Sequence, residues 1–160
     1  MRTSAVDEAI QILIKLEAAS KLLTKDEYAL PLNIFSGSSI GQHYRHIIEM
    51  FQCLIEGYND SIVCYENRKR NSRLETDLDF AQYTIQSYIC KVALQEKHLV
   101  FKSMLHNHDL STTYYRELIY TIDHCVHHQA IIKIGMIFLG KQAPDNEFGV
   151  SKSTLMAKQQ

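Results

Sequence analysis

The stretch IDHCVHHQAIIKIG, from Ile122 to Gly135, sets the fold predicted for this chain and the position of its candidate site. It lies within a predicted helix that opens near Ser111 to Thr113 and runs to Leu139, followed by Gly140 where a C-terminal glycine cap belongs. His124 and His128 are four residues apart, about one helical turn, so both rings point from one face. A third ring from another helix would complete a half-coordination shell around a divalent transition metal.

Three more helices are predicted upstream of this one. Apolar periodicity and capping patterns place them at residues 5–23, from the capping box of Ser39 and Gln42 onward, and from the pair Thr76 and Asp79 onward. Residues 97–112 fit either a helical extension or a short strand, and periodicity does not separate the two. We therefore predict an all-α, antiparallel four-helix bundle, with a short hairpin or extended segment between helices three and four.

Composition limits the classes of function. The chain has 160 residues, which suits a single domain over 1–160 with a tail at 141–160 that is packed or partly flexible. Its 17 basic and 18 acidic residues give a net charge of -1, so no basic surface for nucleic acid is expected. Four cysteines without a C-x-x-C pair and no apolar run of membrane-spanning length favour a cytoplasmic protein.

A second histidine pair lies on helix two, in the segment GQHYRHIIEMF from Gly41 to Phe51. His43 lies within the apolar arc of that helix, and His46 lies at the edge of the arc. Three neutral imidazoles facing the interior of a bundle suit Zn, Ni, Fe or Co, with Cu also compatible, and leave positions for water or substrate. The structural alternative is that these rings are hydrogen-bonded bundle histidines.

At these residues the chain resembles the DinB-like superfamily of four-helix bundles. The resemblance is carried by motifs spread over most of the chain: SIGQHYRH (39–46), YENRKRNSRLETD (65–77), REL (116–118), HCVHH (124–128) and DNEFGV with ST (145–154). It implies a metal triad of His46, His124 and His128. His43 occupies the same helical turn as His46 and could replace or supplement it. Glu49, Met50 and Phe51 stand where the related pattern has Asp-His-Phe.

The same motifs give candidate substrate-binding residues. Alternation in an extended segment would place the guanidinium groups of Arg68 and Arg70 on one side, near Tyr65, where they could hold a carboxylate or phosphate. The alternative is that these arginines form salt bridges that hold in place the segment between helices two and three. Glu117 continues the stripe of His124 toward the N-terminus of its helix.

Four functions remain open at this point. The resemblance implies a metal-dependent thiol S-transferase acting on a small molecule with a low-molecular-weight thiol. The others are a metal-assisted hydrolase or isomerase with Glu117 or His43 as base, a non-heme iron oxygen enzyme, and a non-catalytic metal-binding or self-associating bundle. Bundles of this type commonly form dimers, so a homodimer is also expected.

Overall fold

The computed structural model describes residues 4–158, and most of them are helical, which confirms the predicted helical class. None of the helices within those residues is long and apolar enough to cross a membrane. The helices are α1 (Ala5–Ser20), α2 (Lys25–Ala29), α3 (Ile40–Asp60), α4 (Arg73–Thr76), α5 (Leu78–Lys91), α6 (Tyr114–Phe138) and α7 (Lys152–Ala157), with a 3-10 turn at Asn33–Phe35. The strands are β1 (Ile62–Val63), β2 (His98–Phe101) and β3 (Leu110–Thr113).

The four longest helices, α1, α3, α5 and α6, correspond to the four predicted from periodicity. The hydroxyl of Ser39 caps α3, and the hydroxyl of Thr113 caps α6, as the sequence suggested. The prediction for α5 was one residue off, because the carboxylate of Asp77 accepts the backbone N–H of Phe80 at 3.0 Å. Thr76 instead donates its hydroxyl to the carbonyl of Ser72. The first helix ends at Ser20, three residues earlier than expected.

One large cluster of buried side chains holds these helices together. Helix α3 packs against α6 and α5, and α1 packs against both α5 and α6. Three buried tyrosines cross this core and donate their hydroxyls to backbone carbonyls: Tyr44 to Leu16 at 2.9 Å, Tyr114 to Val92 at 2.7 Å, and Tyr28 to Leu74 at 2.5 Å. Buried hydroxyls need such partners, so each tyrosine fills volume and also ties two segments together.

A small sheet lies beside the helices. Strands β2 and β3 form the antiparallel hairpin that was one of the two alternatives for residues 97–112. The structure adds a third strand, β1, which pairs in parallel with β2 and was not predicted. It forms because Ser61 adopts a left-handed conformation with φ of 58°, ends α3 and directs Ile62 and Val63 along β2. The sheet consequently brings Tyr65 and Phe101 toward the N-terminal half of α6.

The tail is anchored to the helices at Phe148 and Gly149. Phe148 is fully buried in the main cluster, and its carbonyl accepts from the ammonium of Lys133 at 3.4 Å. Gly149 follows with φ of 73°, and a Cβ there would lie 2.6 Å from the backbone of Ala130. Only glycine allows this approach to α6. Residues 159 and 160 of the predicted tail lie outside the described residues.

Candidate metal centre

Three imidazoles meet where α3 packs against α6. His46 lies on α3, and His124 and His128 lie one turn apart on α6. The Nε2 atoms of His46 and His124 are 2.6 Å apart, and those of His124 and His128 are 3.2 Å apart. Within residues 4–158, this is the one group of three or more His, Cys, Asp or Glu side chains with ligand atoms close enough to share an ion, all within 4.8 Å.

The spacing of these nitrogens fits a shared transition-metal ion. Two imidazole nitrogens bound to one ion at about 2.1 Å lie about 3.0–3.4 Å apart in octahedral or tetrahedral geometry. The 3.2 Å separation falls in that range, and the 2.6 Å separation needs the rings of His46 and His124 to part by a few tenths of an ångström. The donor set is three nitrogens that all use Nε2, so the residues present fit a divalent ion.

Burial keeps these rings in the neutral form that binds metals. It lowers the pKa of His46 to about 4, with a further contribution from the positive charge of Arg68. It lowers the pKa of His128 to about 3, and the neighbouring histidines add to the effect. The pKa of His124 is also lowered, again mainly by burial. Near neutral pH each ring therefore has a free nitrogen lone pair available for a metal ion.

His43 contacts one member of the triad, His128. Its Nδ1 lies 3.0 Å from Nδ1 of His128, on the side of that ring away from the convergent Nε2 atoms. Phe35 packs its ring edge-on against the other side of His43, with ring centres 5.0 Å apart. The second nitrogen of His43, Nε2, is buried and has no hydrogen-bond partner among residues 4–158. The structure thus places His43 next to one ligand candidate and does not include it in the converging group.

Two of the three imidazoles, those of His46 and His124, line a cleft of about 580 Å³. Residues of α3, the sheet and the first half of α6 form the rest of its walls. Tyr120 stacks on His124, with ring centres 6.1 Å apart and planes at 27°. The walls combine apolar and aromatic side chains with polar and charged ones: Met50, Tyr65, Glu66, Arg68, Phe101, Leu110, Ser111, Thr112, Arg116, Glu117 and Tyr120. This mixture is typical of a small-molecule site.

Glu117 lies in the wall of this cleft and is almost completely buried, with 1 % of its surface exposed. Its carboxylate accepts hydrogen bonds from the hydroxyls of Tyr65 at 3.0 Å and Thr112 at 2.7 Å, and from the guanidinium of Arg116 at 3.0 Å. Seven residues of helix separate it from His124, which corresponds to about 10 Å along the axis. Three donors satisfy the carboxylate without any ligand.

The two arginines predicted to form a fork are placed differently. Arg68 lines the cleft and donates to the carbonyl of Tyr65 at 2.7 Å, and its Nε lies 3.6 Å from the carboxylate of Glu49. Arg70 is exposed and is not among the residues that line the cleft. Arg68 therefore faces the candidate site and also holds the segment between β1 and α4 in place. Arg70 does neither in the described contacts.

Glu49 is a buried carboxylate. From the sequence it stood out only as a departure from the DinB-like pattern. Its side chain is 2 % exposed and accepts the backbone N–H of Asn71 at 2.9 Å. Arg45 and Arg68 lie within 3.8 and 3.6 Å of it, and Arg45 also pairs with Glu75. Glu49 lies three residues after His46, on the same face of α3, and this spacing could have identified it as a candidate.

Tyr120 and Arg116 were also missed, although they continue the stripe of His124 at four-residue steps. Cys125, next to His124 in sequence, is a free thiol buried in the core. Cys53, Cys64 and Cys90 are likewise free thiols.

Comparison with protein-family models, with curated proteins and with solved structures gave no match for this chain. The resemblance to the DinB-like superfamily, the substrate and the dimer remain predictions.

Proposed function

We propose that this protein is a metal-dependent enzyme of the DinB-like type, in which His46, His124 and His128 hold a divalent transition ion such as Zn, Ni or Fe. The observation that carries the proposal is the convergence of three imidazoles, two of which, His46 and His124, line a cleft. A half-buried trio of neutral imidazoles beside a small-molecule cleft is the arrangement that a reactive metal site requires.

We further propose that α1, α3, α5 and α6 form the four-helix bundle of that superfamily. Their mutual packing supports this, since α3 contacts α6 and α5, and α1 contacts the same two helices. Metal sites in bundles are built from side chains on facing helices. His46 on α3 and the pair His124 and His128 on α6 follow that rule.

The reaction that fits best is transfer of a low-molecular-weight thiol to an electrophile. A divalent ion held by the triad supplies a Lewis acid that lowers the pKa of a bound thiol. The chain provides the surroundings: Met50 and Tyr120 add apolar surface to the cleft that His124 lines, and Arg68 places a positive charge beside His46. That charge favours a nucleophile that carries negative charge.

Tyr65 and Glu117 form the second polar centre of the cleft. Because the carboxylate of Glu117 already accepts three hydrogen bonds, we assign it to orienting the Tyr65 hydroxyl. The hydroxyl of Tyr65 also lies 3.4 Å from that of Thr121, so its position is fixed from two sides. Because its one hydrogen is donated to Glu117, the fixed phenol oxygen in the cleft wall can accept a hydrogen bond from a substrate.

Metal quantification and a thiol-dependent assay test the proposal together. Protein purified without added chelator is analysed for Zn, Ni and Fe, beside His46→Ala and His128→Ala, with His127→Ala as an exposed neighbour that serves as control. We expect about one ion per chain in the wild type and the control, and none in the other two. Turnover of monochlorobimane with a panel of small thiols should follow the same order, and turnover by metal-stripped protein would contradict the proposal.

A metal-assisted hydrolase is the second candidate, supported by the Tyr65–Glu117 pair in the same cleft. Here Glu117, which lines the cleft, would accept a proton from water, whereas His43 does not line it. The discriminating measurement is hydrolysis of activated esters without thiol. Activity that is retained in the absence of thiol and lost in His128→Ala would favour this function over thiol transfer.

A further inference from the structure

His43 and His128 form a hydrogen-bonded pair that constrains how His128 meets a metal. The two Nδ1 atoms are 3.0 Å apart, so one carries a hydrogen and the other accepts it. On the opposite edge of the ring, Nε2 of His128 faces Nε2 of His124 at 3.2 Å. Nδ1 of His128 therefore bonds to His43, while its Nε2 faces the candidate metal position. Only one tautomer of the pair leaves a lone pair on Nε2 of His128 for an ion.

That arrangement follows from the chemistry of neutral imidazole. A ring that binds an ion through Nε2 carries its hydrogen on Nδ1. His128 then donates this hydrogen to Nδ1 of His43, so His43 carries its own hydrogen on Nε2. The opposite arrangement, with His43 as donor, puts a hydrogen on Nε2 of His128 and removes the lone pair from the site.

The residues around His43 offer its second nitrogen, Nε2, no contact that would compete with the pair at Nδ1. Nε2 of His43 is buried and has no hydrogen-bond partner in the described residues. Phe35 holds the ring through an edge-to-face contact, with centres 5.0 Å apart and planes at 74°. Nothing polar therefore turns the ring of His43 away from His128, and its one polar contact is the Nδ1 pair.

We propose that His43 is a positioning residue that accepts the Nδ1 hydrogen of His128 and so fixes His128 in the tautomer that binds metal through Nε2. The inference rests on the proposed metal site and deepens it. It assigns His43 neither as a ligand nor as a base. Outer partners of this kind orient metal-binding imidazoles, and their removal typically weakens metal binding about 10- to 100-fold.

Two substitutions at position 43 separate this role from simple packing. His43→Phe keeps a planar ring against Phe35 but removes the acceptor. His43→Asn restores an acceptor oxygen near the position of Nδ1. Exposed His106 offers a matched control, His106→Phe, that makes the same chemical change away from the site. Thermal unfolding of each chelator-treated variant establishes that it is folded.

Affinity for Zn²⁺ is measured by competition with a chromophoric chelator. We expect His43→Phe to raise the dissociation constant about 10- to 100-fold, His43→Asn to recover most of that loss, and His106→Phe to match the wild type. In ¹⁵N-histidine-labelled, Zn-loaded wild type, the Nδ1–H of His128 should appear as a slowly exchanging resonance. That resonance should disappear in His43→Phe.

Three results would overturn the inference in distinguishable ways. Equal affinity in the wild type and His43→Phe, with the His128 resonance unchanged, refutes the role of His43 and leaves the metal site standing. Loss of all metal in both position-43 variants, with four imidazoles in the X-ray absorption spectrum of the wild type, makes His43 a ligand. A wild type that binds no Zn²⁺, Ni²⁺ or Fe²⁺ defeats the proposed function and this inference together.

Discussion

Tyr65 donates its hydroxyl hydrogen to the carboxylate of Glu117 across 3.0 Å, joining the segment after β1 to the first turn of α6. The two residues are 52 positions apart in sequence and both are buried. Burial raises the pKa of Tyr65 well above its ordinary value, and the charge of Glu117 raises it further. The phenol is therefore a donor across the whole working pH range, and this bond sets the shape of the cleft wall.

Tyr65→Phe should destabilise the protein while keeping the ring in place. The substitution removes one of three donors to a carboxylate that is 1 % exposed, so part of its charge becomes unsatisfied. Hydrogen bonds to buried charged groups contribute about 1.5–3 kcal/mol, and we expect a loss of about 2 kcal/mol in the free energy of unfolding. Urea denaturation of chelator-treated protein measures it.

Tyr83→Phe is the matched control for this change. Tyr83 is 70 % exposed on α5, so loss of its hydroxyl should alter the free energy of unfolding by less than about 0.5 kcal/mol. If Tyr65→Phe were as stable as Tyr83→Phe, the bond to Glu117 would contribute nothing, and our assignment of Glu117 to orienting Tyr65 would lose its basis.

Glu49→Gln should be destabilising because Arg68 loses its buried counter-ion and Arg45 keeps only one of its two, Glu75. Removing one partner of a fully buried ion pair costs about 3–5 kcal/mol. Arg45 and Arg68 keep 23 % and 19 % of their side chains exposed, so water relieves part of this cost. We expect a loss of about 2 kcal/mol. The exposed Glu56→Gln on the same helix should change stability by less than about 0.5 kcal/mol, and equal effects would contradict the assignment.

The helices could be predicted from sequence because their signals are local. Ser39 and Thr113 cap α3 and α6 from positions that a capping rule identifies, and Gly140 has the positive φ expected after a helix end. Strand β1 could not be predicted, since two residues carry no periodicity and pair only because α3 ends beside β2. The cap of α5 was displaced because Thr76 and Asp77 are both good caps, and the short helix α4 uses Thr76.

The site could be predicted only in part, for a similar reason. The four-residue spacing of His124 and His128 requires a common face on any helix, so their proximity followed from sequence alone. Which of His43 and His46 approaches them depends on how α3 is rotated against α6. A rotation of this kind is set by packing of the whole core and not by local pattern. Most partners of Glu49 and Glu117, namely Arg68, Asn71, Tyr65 and Thr112, lie on a strand or in the segment between α3 and α4 and could not be predicted for the same reason.

Acid should destabilise the metal-free protein in a window set by its histidines. His46 and His128 have pKa values of about 4 and about 3 when folded, against 6.5 as the ordinary value. The unfolded chain therefore binds protons below pH 6.5 that the folded chain does not accept. By linkage, the free energy of unfolding should fall as the pH is lowered from 6.5 toward 4, and should be insensitive to these rings above pH 7.

Urea denaturation of chelator-treated protein at pH 7.5, 6.0 and 5.0 checks this expectation. The carboxylates with lowered pKa, such as Glu17 and Asp77, have ordinary values of 4.5 and 3.8, so their contribution is lost only at lower pH. His128→Phe removes one titrating ring and should show a smaller loss between pH 7.5 and 5.0. Parallel curves for the two proteins would show that His128 accepts its proton equally well in both states.

Added metal should stabilise the folded chain through the triad. A ligand present at about 1,000 times its dissociation constant adds about 4 kcal/mol to the free energy of unfolding. For a domain of this size that amounts to roughly 8–16 °C in melting temperature. We expect such a rise for the chelator-treated wild type on addition of Zn²⁺, and none for His46→Ala, whose far-ultraviolet circular dichroism shows whether it is folded. An equal rise in His46→Ala would place the bound ion elsewhere, because the triad cannot form a three-nitrogen site without the one imidazole contributed by α3.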